Sequence, residues 1–220
     1  MDLDRIVQEM SFDTKIGEGN YREVYQVSPE VCVKRLKRSR RKNYYFFSID
    51  YPMWLYLLKF GIVDFNKHEF QQYQRLIGGI PCELSSSFAR ILGVRKVDSE
   101  SLSFQELVTD YDGSLSQPLV QYEKVRALSF WERLAQLRAF FMTECLPFFN
   151  LRPDNVIVKR VSETEALPIL YDYKRMGVRT WPFQPQLLFN GPTRRKLGRL
   201  FQRLFSYSEQ VHSPSKLTIE

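Results

Sequence analysis

Asn155 and Asp172 carry the most definite chemistry in this 220-residue chain. Asn155 stands directly before the apolar run VIV and Asp172 directly after ILY. Antiparallel pairing of those runs would bring an amide oxygen and a carboxylate to the same end of a hairpin. Hard oxygens so placed suit Mg²⁺, which commonly takes one or two carboxylates together with substrate phosphates. A second group lies upstream. Gly17 and Gly19, in the string IGEGNYREVY, fall between two strand-like runs, where a glycine turn lets backbone amides approach phosphate oxygens. Lys34 closes the run VCVK, and period-2 alternation puts it on the face of Cys32, opposite Val31 and Val33. Glu69, in the helical stretch NKHEFQQYQRL, is an acidic partner able to hold that lysine. Each feature also has a plainer reading: a hairpin turn, a solvated lysine heading a basic run, a surface glutamate, and Asn and Asp as caps.

The elements that must position these residues follow from periodicity and turn chemistry. Residues 11–16, 22–27 and 31–36 read as successive antiparallel strands. A basic run from Lys34 to Lys42 and an aromatic-rich stretch from Tyr44 to Phe65 come next, then a helix from Asn66 to about Leu76. Residues 89–97 and 102–109 form two more strands around the turn DSES. After the polar segment TDYDGSLSQPL, Ser129 and Glu132 read as a capping box opening a helix with Phe130, Leu134, Leu137 and Phe141 on one face. Strands at 156–160 and 167–171 follow, then an amphipathic helix over 193–205. Strands first and helices later predict an α+β fold of two lobes: 1–108, with a basic and aromatic insertion at 37–65, and 109–205, with a loose polar tail at 206–220. A ligand would lie between them.

Taken in order, the glycine turn, the strand lysine, the helical glutamate, LRPDN and the strand ending in Asp172 resemble the protein-kinase-like superfamily, from Ile16 to about Lys174. More closely, IGEGNYREVY, LVTDYDGSLSQPL, NLRPDNVIVKRVSETEALPILYD and the basic helix RRKLGRLFQRLF are similar to the bacterial YrbL family of PhoP-regulatory-network proteins, from roughly Ile16 to Phe205. The resemblance implies a bilobal kinase-like fold: an antiparallel N-lobe sheet with one helix, and a reduced helical C-lobe. It also implies ATP and Mg²⁺ as cofactors and a role in bacterial envelope-stress regulation, without supplying a substrate. On that reading Lys34 orients the phosphates, Glu69 holds Lys34, and Asn155 with Asp172 holds the metal. Ile16, Val24, Cys32 and Ile157 would sandwich adenine, and backbone groups near Glu106 to Val108 would read its edge.

The chain departs from the active-kinase pattern. Phe148, Phe149 and Asn150 replace HisArgAsp, Arg22 replaces the third glycine, and Asp172, Tyr173 and Lys174 keep only the metal carboxylate of DFG. Asn150 cannot accept a proton at neutral pH, so the general base is missing. Asp154, Asp110 and Asp112 are the other candidate carboxylates for that role, though nothing in the sequence puts them on the acceptor side. Positioned acid–base groups contribute about 10²–10⁴-fold, while phosphoryl transfer rests mainly on positioning and charge neutralisation. The leading expectation is therefore a phosphotransferase acting on a small molecule, an envelope glycan or a protein. The alternative is a pseudokinase that binds a regulatory partner in a nucleotide-dependent way.

Bulk properties narrow the setting. Three scattered cysteines, with no CxxC pair, and two distant histidines give neither a disulfide framework nor a thiolate or histidine metal site, which fits a reducing, cytoplasmic compartment. The acidic N-terminus predicts no secretory leader, and no apolar run is long enough to span a bilayer. A net charge of +7 favours anionic partners. Lys37, Arg38, Arg40, Arg41 and Lys42 next to aromatics suit an insertion packed on the glutamate helix, peripheral contact with an anionic inner-membrane surface, or a glycan-binding adaptor. Base-stacking spacing is not evident, so nucleic acid is the weakest of these partners.

Overall fold

The computed structural model describes residues 2–19, 22–37, 64–98, 100–173 and 190–210. Arg38 to Lys42, the aromatic stretch from Tyr44 up to Asp64, Lys174 and the tail beyond Gln210 lie outside the described residues. The fold is α+β, and the chain divides into two compact units, Met1–Gly79 with Ala89–Leu107, and Ile80–Phe88 with Val108–Glu220.

The first unit is built on a five-stranded antiparallel sheet. Helix α1 (Leu3–Glu9) precedes β1 (Thr14–Glu18), β2 (Arg22–Ser28) and β3 (Val31–Leu36); α2 (Phe65–Ile77) follows, then β4 (Ile91–Val97) and β5 (Glu100–Glu106). The strand order is β1-β2-β3-β5-β4. Val31 and Val33 alternate onto one face, where with Leu102 and Phe104 they form a buried cluster. Leu3, Ile6 and Val7 pack against it from α1, a helix not anticipated in the sequence, and Met10 does so from just beyond the helix end. Asp2 caps α1 by accepting from the amides of Asp4 and Arg5. Asp64 caps α2 in the same manner, accepting from Asn66 and Lys67. Residues 11–13 are not strand, and β1 begins only at Thr14. Phe12 instead meets Tyr25 edge-on at 5.3 Å, with Arg35 over its ring. Beyond Glu106 the expected strand gives way to a connection in which Leu107 donates to Glu30.

The second unit has a three-stranded sheet in the order β6-β7-β8, from β6 (Gln117–Pro118), β7 (Val156–Arg160) and β8 (Ala166–Leu170). Helix α3 (Leu128–Thr143) packs on β8 and α4 (Asn190–Gln210) packs on α3, while Ser87 and Phe88 join the sheet through Leu170. Its centre is Phe141, stacked on Phe148 at 5.4 Å and tilted against Phe88 and Phe201 at 6.2 and 6.1 Å. Each such fully buried aromatic stabilises the fold by about 1.5–3 kcal/mol. The capping box expected at Ser129 and Glu132 does not form. The helix starts two residues earlier, at Leu128 with Ala127 as N-cap, so Ser129 already lies inside its first turn. Its hydroxyl pairs with both backbone groups of Ala166, at 3.1 Å each, and fastens the helix start to β8. Helix α4 runs on to Gln210, so residues 206–210 belong to the helix rather than to a tail. Among the described residues no helix is long and apolar enough to cross a membrane.

Candidate functional site

In the first unit, strand register sets the site. Gly17 pairs with Val24, Val24 with Lys34, and Lys34 with Ser103, making one row across four strands. Cys32 lies in the next row, between Gln26 and Gln105. Alternation therefore puts Val24, Cys32 and Lys34 on the face opposite the Val31 and Val33 core. Ile16 is the residue passed over where the ladder shifts between Lys15 and Gly17. Gly19 closes the hairpin by donating to Arg22 at 2.8 Å. Neither glycine has a positive φ, and among the described residues a Cβ at either would meet its nearest neighbour only at 3.7 Å, so these neighbours do not demand them.

Lys34 Nζ lies 3.0 Å from Glu69 Oε1, and both side chains are buried. The other carboxylate oxygen, Oε2, accepts from Arg22, which also donates to Asn66 Oδ1 at 3.0 Å. Asn66 in turn donates to the carbonyls of Lys34 and Ser101 at 3.2 and 2.7 Å. Burial alone would raise the Glu69 pKa, but the charges and hydrogen bonds of Arg22 and Lys34 outweigh it and hold the carboxyl well below its ordinary range. Arg22 is the functional residue that sequence reasoning missed: it was visible only as the residue in the third glycine's place. Burial pushes the Cys32 thiol up to about 11, so it is a packing group rather than a nucleophile. Its Sγ points at the Glu106 carbonyl, 3.8 Å away.

In the second unit, Val156 pairs with Leu170, so Asn155 and Asp172 leave the ladder at the same end. Asp172 is buried with φ of 66°, a left-handed conformation uncommon for a residue with a side chain and often found at functional sites. Asn150 braces it by donating through Nδ2 to the Asp172 carbonyl at 3.3 Å. Asn155 donates through Nδ2 to the Asn150 carbonyl at 3.1 Å, and its Oδ1 meets no donor among the described residues. Tyr171, whose phenol burial pushes up, donates to the Asp154 carbonyl. Phe148 and Tyr173 are core residues with ring centres 6.1 Å apart. Ile157 is half-buried and alternates with the fully buried Val156 and Val158. Val108 is buried, and its backbone N–H reaches no acceptor among the described residues.

Asp110, Asp112 and Asp154, the carboxylates considered as stand-in bases, are each held in an ion pair. Asp110 and Asp112 both bind Arg160, Asp112 at 2.6 Å. Hydrogen bonds from Ser114 and then Arg160 hold the Asp112 carboxyl down at about 2, far too acidic for a base at neutral pH. Asp154 pairs with Arg152 at 2.8 Å. No group of three or more His, Cys, Asp or Glu is placed to hold a metal among the described residues, so any cation here would lean on Asn155, Asp172 and ligand oxygens. No protein-family model matches the chain, and no curated protein matches it.

Two outcomes follow from this geometry. Because the folded Glu69 pKa lies below its unfolded value of about 4.3, its stabilisation is complete above that value and is lost as pH falls toward the folded one. Glu69→Gln should cost about 3–5 kcal/mol in denaturant unfolding at pH 7 by taking the carboxylate away from two buried cations, and the acid-side decline in Tm should be shallower than in wild type. Asn150→Asp sets a carboxylate against the Asp172 carbonyl in place of a donor. It should cost about 1–3 kcal/mol in the same measurement, whereas a residue held only as a relic of a lost base would tolerate the change.

Proposed function

We propose that the protein is an ATP- and Mg²⁺-binding, kinase-like protein of the YrbL type. The reading is carried by the Asn150, Asn155 and Asp172 constellation: an amide oxygen left open by a pinned Nδ2, beside a buried carboxylate in a left-handed backbone. An amide oxygen and a carboxylate suit Mg²⁺ that is shared with substrate phosphates. Several other features fit the same ligand. Lys34 is fixed by Glu69, two glycines are present that packing does not require, and the buried Val108 N–H is available to an adenine edge. Magnesium would neutralise phosphate charge, and Asn155 with Asp172 would hold it.

On this reading Lys34 orients the phosphates, while Ile16, Val24 and Cys32 of the same sheet line the adenine. The activity is phosphoryl transfer to a small-molecule, envelope-glycan or protein acceptor, slowed by the absent base. One observation favours the second reading, a pseudokinase: the Asn150 side chain donates to a backbone carbonyl, so it is committed to positioning.

ATP with Mg²⁺ at about 100 times its Kd should stabilise wild type by about 2.7 kcal/mol, on the order of 5–10 °C in Tm for a chain of this size. Gly17→Ala and Gly19→Ala should leave the unliganded Tm unchanged or raised and should diminish the shift. A shift that survives both changes intact would reduce the glycine turn to a plain hairpin. Steady ATP turnover abolished by Asp172→Ala selects the phosphotransferase; binding without turnover selects the pseudokinase.

A further inference from the structure

Helices α3 and α4 of the second unit border a groove of about 1080 Å³ whose walls carry four arginines, Arg138 from α3 and Arg194, Arg195 and Arg199 from α4. All four are exposed, and among the described residues no carboxylate pairs with any of them. Other arginines are paired, Arg22 with Glu69, Arg35 with Glu100, Arg152 with Asp154, and Arg160 with two aspartates; what sets these four apart is that they line one groove together. Arg195 and Arg199 stand one helical turn apart, where like charges repel. Arg194 is held in place by its Nε, which donates to the Met142 carbonyl at the end of α3, 3.1 Å away.

Gly198 supplies an independent observation. It sits in the interior of α4 and lines the same groove. Glycine is a poor residue for a helix interior. Packing does not require it here, since a Cβ would find only Met142 Cε, at 4.0 Å. Its missing side chain instead leaves that part of the lining open, with Met142 and Phe205 as the apolar part of the groove.

We propose that this groove is a second ligand site, distinct from the residues assigned to the nucleotide, and that it takes a phosphate-bearing ligand. Guanidinium forks match phosphate oxygens bidentately, and an unpaired set of four supplies charge for more than one phosphate group. The groove's size is at the upper end for ligand pockets, which are about 300–1,000 Å³, so it fits a phosphorylated small molecule or a lipid headgroup better than a lone ion.

Inositol hexakisphosphate titrated calorimetrically into the full chain, and flotation with phosphatidylcholine vesicles containing either phosphatidic acid or phosphatidylserine, separate the two sources of phosphate. Binding of the soluble probe, or of phosphatidic acid vesicles over phosphatidylserine vesicles, is expected. It should weaken by about ten- to a hundredfold in Arg195→Gln/Arg199→Gln. Arg203→Gln, an equal loss of charge per residue outside the groove, should leave it unchanged, as should Asp172→Asn. Gly198→Leu tests that opening without altering charge and should also weaken binding. The proposal is overturned if neither probe binds at physiological ionic strength, or if Arg203→Gln weakens binding as much as the groove variants do. It is also overturned if binding is equal on both vesicle types and indifferent to the groove. Loss of the ATP response in Asp172→Asn with the probe still bound would separate the two sites, so failure of one assignment leaves the other standing.

Discussion

The carboxylate of Glu69 is the constraint on which the first unit depends. It is fully buried, and taking such a group out of water costs several kcal/mol before any partner is counted. Lys34 from β3 and Arg22 from β2 answer that cost on separate oxygens, while Asn66, one turn earlier on α2, ties the helix to the backbone of β3 and to Ser101 of β5. A hydrophobic stripe of equal volume would be about as stable. What charge adds is direction: α2 can sit on the sheet in only one register, and the lysine head is held rather than free to wander. Helical spacing alone could not do this, because the buried stripe of α2 mixes Phe65, Tyr73 and Leu76 with Asn66, Glu69 and Gln72.

The second unit uses packing where the first uses charge. Phe141 sits among Phe88, Phe148 and Phe201, and Phe148 passes that order to Tyr173. The flanks of the loop, Phe148 and Leu151, and the residue after Asp172 are thus anchored in the core. Between them Asp172 is held in a conformation that costs on the order of 1–3 kcal/mol and persists only where its surroundings over-determine it. The Asn150 hydrogen bond and the buried neighbours supply that determination.

How far the sequence discloses this varies with the source of each signal. Strand β3 and helix α2 were legible almost to the residue, because Val31 and Val33 alternate and α2 has a long 3.6-residue pattern. Helix α1 was not, being only seven residues long, too short to establish a period, although Asp2 was a readable cap. Ser129 misled for a different reason: a serine three residues before a glutamate looks the same whether it caps a helix or fastens one to a strand. The pairing of Lys34 with Glu69 followed from residue order and chemistry. That of Arg22 with Glu69 did not, since it depends on β2 and α2 meeting across 47 positions of chain.

Asn150 is where sequence logic and structural logic part. As a string it is a missing carboxylate, a residue defined by what it cannot do. In place it is a donor facing an acceptor, and an ionised aspartate has no proton to give the Asp172 carbonyl. Under the proposed reading, a chain that carries asparagine there gives up proton transfer, worth about 10²–10⁴-fold where it operates, for a brace on the residue that would hold the metal. The same choice recurs next door, where Asn155 gives its amide to the Asn150 carbonyl and keeps its oxygen outward. Under the proposed reading the loop is therefore arranged to hold phosphates and their cation steadily, and any transfer must draw its rate from positioning and charge, the two terms on which phosphoryl chemistry chiefly rests.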